Sequence, residues 1–261
     1  MRGRNLMSRQ FDSNTNALKH RANINAQGST YNLEDWIIEQ TKPQSGMRVL
    51  DLGCGTGKQI FRFAPIVSSN GLILGIDISP DAVDEVNRRA QEEHLDFVKA
   101  VRTSLDDCIE KLRGQTFDLI LSTYAVYYAS DVTQLLVDLR SNLNPGGRLF
   151  VCGPGRDSNR EMFDLINSCS PGPYPGTKPV EDFLGETQII DIAKQYSRVA
   201  TGRLANQIRF QSTEGVLLWW KNHNSFVPEI YESVERSLRH HFSQHDSFVL
   251  TKNVLGVDFR V

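Results

Sequence analysis

The run Val49-Leu50-Asp51-Leu52-Gly53-Cys54-Gly55-Thr56-Gly57-Lys58-Gln59 restricts the fold of this chain more than any other segment. Aliphatic residues lead into a carboxylate and then into a loop with glycine at every second position, the pattern of a buried parallel strand that ends in a ligand-binding turn. Glycine has no Cβ, so such a turn takes positive φ and lets a ligand lie against its amides. The helix that follows, from Gln59 to about Ala64, turns its N-terminal N–H groups and positive dipole end toward the loop, where carboxylate or other electron-rich groups are favoured.

Spacing separates the ligands that use such a turn. A dinucleotide fingerprint, Gly-x-Gly-x-x-Gly, needs a third glycine where this chain has Lys58, or Ile60 if counted from Gly55. A phosphate loop needs glycine and a hydroxyl residue where Leu52 and Gln59 stand. The pattern present is Asp-x-Gly-x-Gly-x-Gly, Asp51 to Gly57, with a second acid, Asp77, closing the strand-like run Leu72-Ile73-Leu74-Gly75-Ile76-Asp77. This pair of features resembles the first motifs of the class I S-adenosylmethionine-dependent methyltransferases, and the resemblance continues to about Cys152.

The resemblance implies an α/β, Rossmann-like doubly wound fold: a mostly parallel seven-stranded sheet with an antiparallel C-terminal edge and a small helical cap. It also implies S-adenosylmethionine as cofactor, with S-adenosylhomocysteine as product. The residues it places around that cofactor are Asp51, Gly53, Cys54, Gly55, Gly57 and Gln59 in the loop, Asp77 and Ile78 after the second strand, Ser104 and Leu105 after the third, and Ser122 and Tyr124 after the fourth. Asp77 is expected on the ribose, because a carboxylate accepts both hydrogen bonds of a cis-diol and ionised acceptors make the stronger bonds. Where the family often has an acid beside the adenine this chain has Ser104, so a hydroxyl or backbone contact is expected there.

The rest of the chain reads consistently with that scheme. Asn32 caps a helix through Gln40, and a first strand runs from Met47 to Leu52. Ser79-Pro80-Asp81 combines an N-cap hydroxyl, proline at the first helical position and an acid in the first turn, opening a helix that buries Ala82, Val83, Val86 and Ala90. Strands are expected at Phe97–Val101, Phe117–Ser122 and Arg148–Cys152. Between the last two, Asp131 caps a helix with Gln134 at its third position and a stripe of Val132, Leu135, Leu136, Leu139 and Leu143. Strands alternating with helices give a parallel sheet with right-handed crossovers, and ligands then bind beyond the carboxyl ends of the strands.

Residues 1–30 are expected as an N-terminal arm or lid and 31–261 as one domain, with cap insertions around 153–196 and 212–245. Tyr31, Tyr127, Tyr128, Tyr174 and Trp219 are candidates for contact with an acceptor; the alternative is an exposed surface arm for Tyr31, a plain wall for Tyr127 and Tyr128, and core packing or capping for Trp219. Trp219 and Trp220 lean opposite ways on one helix, so at most one is expected to face a pocket. Pro179 to about Tyr196 reads as helical. Stretches Arg203–Phe210 and Ser247–Val261 read as the antiparallel edge pair. The segment from Phe210 to Trp220 is similar to one in small-molecule carboxyl methyltransferases of the biotin-synthesis and trans-aconitate type, which points to a metabolite or carrier-bound acid.

Composition narrows the partners. With 29 basic and 31 acidic residues the chain carries −2 net, which argues against a nucleic-acid surface built on charge, and no DNA partner is expected. Four cysteines without a CxxC pair fit a reducing cytoplasm, and no apolar run approaches the ~20 residues of a membrane span. No His, Cys and Asp grouping has metal-ligand spacing, so no metal is expected. The turn Ser122-Thr123-Tyr124-Ala125 lacks the Pro-Pro-aromatic element of exocyclic-amine nucleic-acid enzymes. The sum is a methyltransferase acting on oxygen or nitrogen of a small molecule. Its rivals are a non-catalytic cofactor-binding protein and an enzyme on a protein or RNA acceptor.

Overall fold

The computed structural model describes residues 31–170, 172, 181–223 and 225–261. The expected arm at 1–30 and the candidate Tyr174 lie outside the described residues.

In chain order the elements are α1 (Leu33–Thr41), β1 (Arg48–Leu52), α2 (Lys58–Val67), β2 (Leu72–Asp77), α3 (Pro80–Glu92), β3 (Val98–Arg102), the one-turn α4 (Cys108–Lys111) and β4 (Phe117–Thr123). They continue with α5 (Val132–Asp138), β5 (Leu143–Pro154), α6 (Arg160–Cys169), α7 (Glu186–Ala193), β6 (Arg198–Phe210), α8 (Thr213–Lys221), α9 (Tyr231–Gln244) and β7 (Phe248–Arg260). The seven strands form one sheet in the order β3-β2-β1-β4-β5-β7-β6. β1 pairs in parallel with β2 on one side and β4 on the other, so the strand order reverses beside β1. That reversal opens the crevice in which ligands of such sheets bind.

The chain divides into two compact units. The larger comprises Leu33–Pro154, Asp182–Arg203 and Leu255–Val261; of the described residues, the smaller comprises 31–32, 155–170, 172, 181, 204–223 and 225–254. In the larger unit, Leu50, Leu52, Ile76, Phe117, Ile120, Leu136, Leu139, Leu149 and Val151 close the core from central strands and covering helices. Consecutive buried residues, Val49–Leu52 in β1 and Leu119–Ser122 in β4, are what a parallel sheet covered on both faces requires. Arg148 ties the far end of this unit together: it donates to Asp258 and to the last carbonyls of α1, those of Gln40 and Thr41. A cation there satisfies acceptors that a helix end leaves without intrahelical partners.

The smaller unit is organised around an aromatic core instead. Trp219 and Trp220 of α8 pack with Met162, Phe163 and Ile166 of α6, Val234 and Leu238 of α9, and Ile208, Phe210 and Leu250 of the strands. Ser212 caps α8 by accepting from the Gly215 N–H.

Local signals place α3 and α5 correctly: Ser79 accepts from the Ala82 N–H and Asp131 from the Gln134 N–H. The Gln134 side chain, however, donates to Asp138 one turn on rather than reaching back to the cap. The expected helix over 179–196 shrinks to Glu186–Ala193. Before it the backbone is held by long-range partners: Phe183 N–H donates to the Pro154 carbonyl and Asp182 is clamped by Arg203. Those contacts hold residues 182–185 outside the helix, with a bend at Phe183 and Leu184 that local periodicity does not reveal.

Candidate active site

The glycine loop is a tight left-handed bend. Gly53, Gly55 and Gly57 have φ of +73°, +52° and +80°, a region that costs an L-residue roughly 1–2 kcal/mol. Gly53 is further constrained by space, since a Cβ there would lie 2.2 Å from the Cβ of Ala125. The chain after β4 therefore lies directly on the bend. Gly53 and Cys54 N–H groups both donate to the Ile76 carbonyl, which pins the bend to the end of β2.

Two acids converge here. Asp77, at the end of β2, accepts from the Gly55 N–H at 2.8 Å through one oxygen and from the Ser79 N–H at 2.9 Å through the other. It thus joins the bend to the start of α3. A carboxylate has about four acceptor sites, so two remain for a ligand. Asp51 lies beneath, 2 % exposed, with no partner for Oδ1. Burial, and then the neighbouring charge of Asp77, push its carboxyl up to about 7. Gln59 in the first turn of α2 is 4 % exposed with an unpartnered Nε2. Among the described residues four buried side-chain polar atoms lack a partner, and two of them belong to this bend. Buried polar groups are normally satisfied, so a donor and an acceptor left bare mark a place built for a polar ligand. A cleft of about 210 Å³ on the β2–β3 flank, lined by Leu72, Leu74, Lys99, Val101, Lys111, Leu112 and Gln115, contains none of these residues. Chemistry, not hollow volume, identifies the site.

Burial favours the neutral form of three further groups. It raises the Cys54 thiol, with the charges of Asp51 and Asp77 adding to the effect, and it raises the Tyr124 phenol and the Cys152 thiol likewise. None of the three is a base at neutral pH. Tyr124 has φ +57° and donates its N–H to the Cys152 carbonyl, so the chain turns sharply as it leaves β4.

The remaining candidates divide. Ile78, 64 % exposed, follows Asp77 at the lip of the site. Ser104 Oγ donates to the Asp107 carboxylate and accepts from its N–H, and Leu105 packs on the core of the larger unit. The Ser122 side chain requires a correction: it is fully buried and its one hydroxyl proton goes to the Leu52 carbonyl at 2.9 Å, so it braces β4 against β1 instead of donating to a ligand. Trp219 requires another. It is 1 % exposed within the aromatic core of the smaller unit, its ring stacked on His223 at 4.6 Å, and offers no wall to an acceptor. An apolar helix face surrounded by other apolar elements claims both tryptophans. Tyr31, 37 % exposed, donates its N–H to Asn206 within the smaller unit.

Tyr127 and Tyr128 stand on the turn after β4, ring centroids 4.7 Å apart, and Tyr127 meets Phe183 edge-on at 6.3 Å. Phe183 reaches this turn through the hydrogen bond of its N–H to the Pro154 carbonyl, a long-range contact that local periodicity does not show. Among the described residues no group of three or more His, Cys, Asp or Glu is placed to hold a metal, and no helix is long and apolar enough to cross a membrane.

A family model described as a methyltransferase domain matches residues 43–173, the span that carries the bend, both acids and the turn after β4. The chain belongs to the methyltransferase domain family. Its sheet and bend are those of the class I S-adenosylmethionine-dependent methyltransferases. Aklanonic acid methyltransferase DauC of Streptomyces sp. strain C5 is 31 % identical over 118 residues, which cover 45 % of this chain and 53 % of the relative. A ubiquinone biosynthesis O-methyltransferase of Chelativorans sp. is 29 % identical over 112 residues, 42 % and 41 % of the two chains. The matched part is thus about half the length of these relatives or less. Among solved structures, the YcgJ protein of Bacillus subtilis aligns over 87 % of this chain and 97 % of its own with a TM-score of 0.58 at 16 % identity, a likeness of fold.

Proposed function

We propose that this protein transfers a methyl group from S-adenosylmethionine to an oxygen or nitrogen, a carboxylate included, of a small-molecule acceptor. The observation that carries the reading is the pair of acids at the bend: Asp77 joined to Gly55 and Ser79 with acceptor capacity to spare, above a buried Asp51 whose Oδ1 has no partner. The fit is chemical. A ligand with a cis-diol and a cationic amino acid end matches an ionised acceptor at the lip and an unsatisfied carboxyl within.

When bound, S-adenosylmethionine supplies a methyl group on a positively charged sulfur, which departs as the neutral thioether of S-adenosylhomocysteine. Asp77 holds the ribose hydroxyls, Gln59 offers its bare amide N–H to an acceptor atom of the ligand, and Asp51 balances positive charge. Gly53, Gly55 and Gly57 let the ligand approach the backbone, and Cys54 fills the bend as a small neutral side chain. The residues after β4, Tyr124 among them, limit where an acceptor can stand. Methyl transfer in line with the breaking bond depends chiefly on such positioning and on exclusion of water. An ionised carboxylate acceptor needs no base; the neutral states of Tyr124, Cys54 and Cys152 fit an acceptor that arrives ionised or loses its proton to solvent.

The test is transfer of labelled methyl from S-adenosylmethionine to a panel of carboxylic acids, phenols and amines by the full chain. Labelled small-molecule product supports the reading. Binding of the cofactor without product across the panel favours a non-catalytic binder, and label on protein or RNA alone contradicts a small-molecule acceptor.

A further inference from the structure

Gly153, at the end of β5, lacks a side chain for a reason other than backbone conformation, because its φ lies outside the left-handed range that favours glycine. What it provides is room. A Cβ there would fall 2.8 Å from Cγ of Phe183 and 3.2 Å from Cε1 of Tyr127, both inside ordinary contact distance. Two aromatic rings therefore rest on bare backbone at the carboxyl end of β5, and Tyr128, 46 % exposed, extends the surface toward solvent.

Phe183 is held from several sides. Its N–H donates to the Pro154 carbonyl at 3.0 Å, and the preceding Asp182 accepts two bonds from Arg203 at 2.8 and 2.7 Å. The following Leu184 is 1 % exposed in the core of the larger unit. Tyr127 and Tyr128 belong to the turn whose Ala125 packs on Gly53, so two of the three rings stand on the segment that lies against the glycine bend. A ring fixed in this way loses little freedom when a ligand settles on it.

We infer that Gly153, Phe183, Tyr127 and Tyr128 form an aromatic ledge that selects acceptors carrying a flat aromatic ring, which lies against it by offset or edge-on contact. The inference rests on the methyltransferase reading and adds to it the substrate class and two residues that determine specificity. A cage for a quaternary ammonium is the other use of clustered rings, and an ammonium probe separates the two. Tyr127 meets Tyr128 and Phe183 at centroid distances of 4.7 and 6.3 Å with planes inclined by 56° and 65°, so a flat acceptor that stacks on one ring meets its neighbour edge-on.

Calorimetry on the full chain with saturating S-adenosylhomocysteine tests this with three probes: 2-naphthoate, cyclohexanecarboxylate and tetramethylammonium. The expected order is naphthoate tighter than cyclohexanecarboxylate by at least about tenfold, with no saturable binding of the ammonium. Phe183→Leu weakens naphthoate about 2- to 12-fold, the range of one aromatic pair. It leaves cyclohexanecarboxylate and S-adenosylhomocysteine affinities within twofold, and Phe183→Tyr restores naphthoate binding. Gly153→Ala has the same signature if it folds; Phe183→Leu carries the test if it does not. Equal affinity for the two carboxylates, preference for the ammonium, or a Phe183→Leu variant that alters nucleoside affinity alone overturns the ledge. If S-adenosylhomocysteine itself fails to bind, the cofactor reading falls, and the naphthoate comparison is still read on the chain alone.

Discussion

The two units differ in where their large aromatic residues stand. In the smaller unit Trp219 and Trp220 are 1 % and 0 % exposed and serve as the middle of a core. The larger unit buries Phe117, Phe150 and Phe259 among mostly aliphatic residues, but it also sets a second group, Tyr127, Tyr128 and Phe183, at strand ends beside a bend that keeps a buried acid unsatisfied. The difference follows from architecture. A parallel sheet covered on both faces buries its middle with apolar strands and leaves its carboxyl ends for chemistry, whereas the smaller unit, helices packed on strand segments, has no such privileged end and spends its rings on cohesion. Stability and function are therefore separable by position, and substitutions in the two regions should fail in different measurements.

The largest effect belongs to the aromatic core. Trp219→Ala should cost about 3–5 kcal/mol of unfolding free energy in urea, as for other large-to-small changes at buried tryptophans, with acceptor KM unchanged in the fraction that remains folded. A variant of normal stability and raised KM would return Trp219 to the substrate wall and break the comparison. Gly53→Ala comes next. A left-handed φ and a Cβ placed against Ala125 should together cost about 2–4 kcal/mol, read as lost cofactor affinity and lowered stability in the same variant. Asp77→Ala should weaken S-adenosylmethionine binding by about 1.5–3 kcal/mol, the value of hydrogen bonds to a charged group. Because Asp77 also holds Gly55 and Ser79, circular dichroism on the same sample must show a native fold.

The smallest effect for a single step, at most about 1.4 kcal/mol for each pH unit, is the most diagnostic in sign. Asp51 has a folded pKa raised to about 7 from an ordinary 3.8, so over that window the folded chain holds a proton that the unfolded chain has released. Stability without ligand should therefore fall as pH rises from about 4 to 7 and level off above. A cationic ligand favours the ionised form, so cofactor affinity should move the other way, rising by at most about 1.4 kcal/mol per pH unit up to pH 7. Asp51→Asn should flatten both profiles. Parallel rather than opposed trends in the wild-type chain would dissociate Asp51 from the ligand.

How much of this could be read from the chain depends on how far apart the participants lie in it. The bend was legible because its cause is local: three glycines within five residues, a carboxylate before them, and a second strand ending in Asp77. The starts of α3 and α5 were legible for the same reason, each from a side chain capping its own helix. Ser122 and Trp219 illustrate the limit. A hydroxyl after a strand reads the same whether it faces a ligand or braces the neighbouring strand, and only the Leu52 carbonyl decides. An aromatic pair on a helix reads the same whether it lines a pocket or a core, until the surrounding elements are in place. Phe183 and Gly153 lay beyond local reading altogether. Their meeting depends on the hydrogen bond from Phe183 to Pro154 and the clamp of Arg203 on Asp182, long-range partners without local periodicity. A glycine immediately before proline at the end of β5 was the one available hint that the backbone there is closely approached.

Calorimetric titration of S-adenosylmethionine into the full chain at pH 8, repeated after saturation with S-adenosylhomocysteine, puts the central claim to its most direct trial. One site per chain, blocked by the product nucleoside and weakened at least tenfold by Asp77→Ala, is the predicted result. A folded chain that takes up no S-adenosylmethionine, or binds it equally well without the Asp77 carboxylate, would contradict the account.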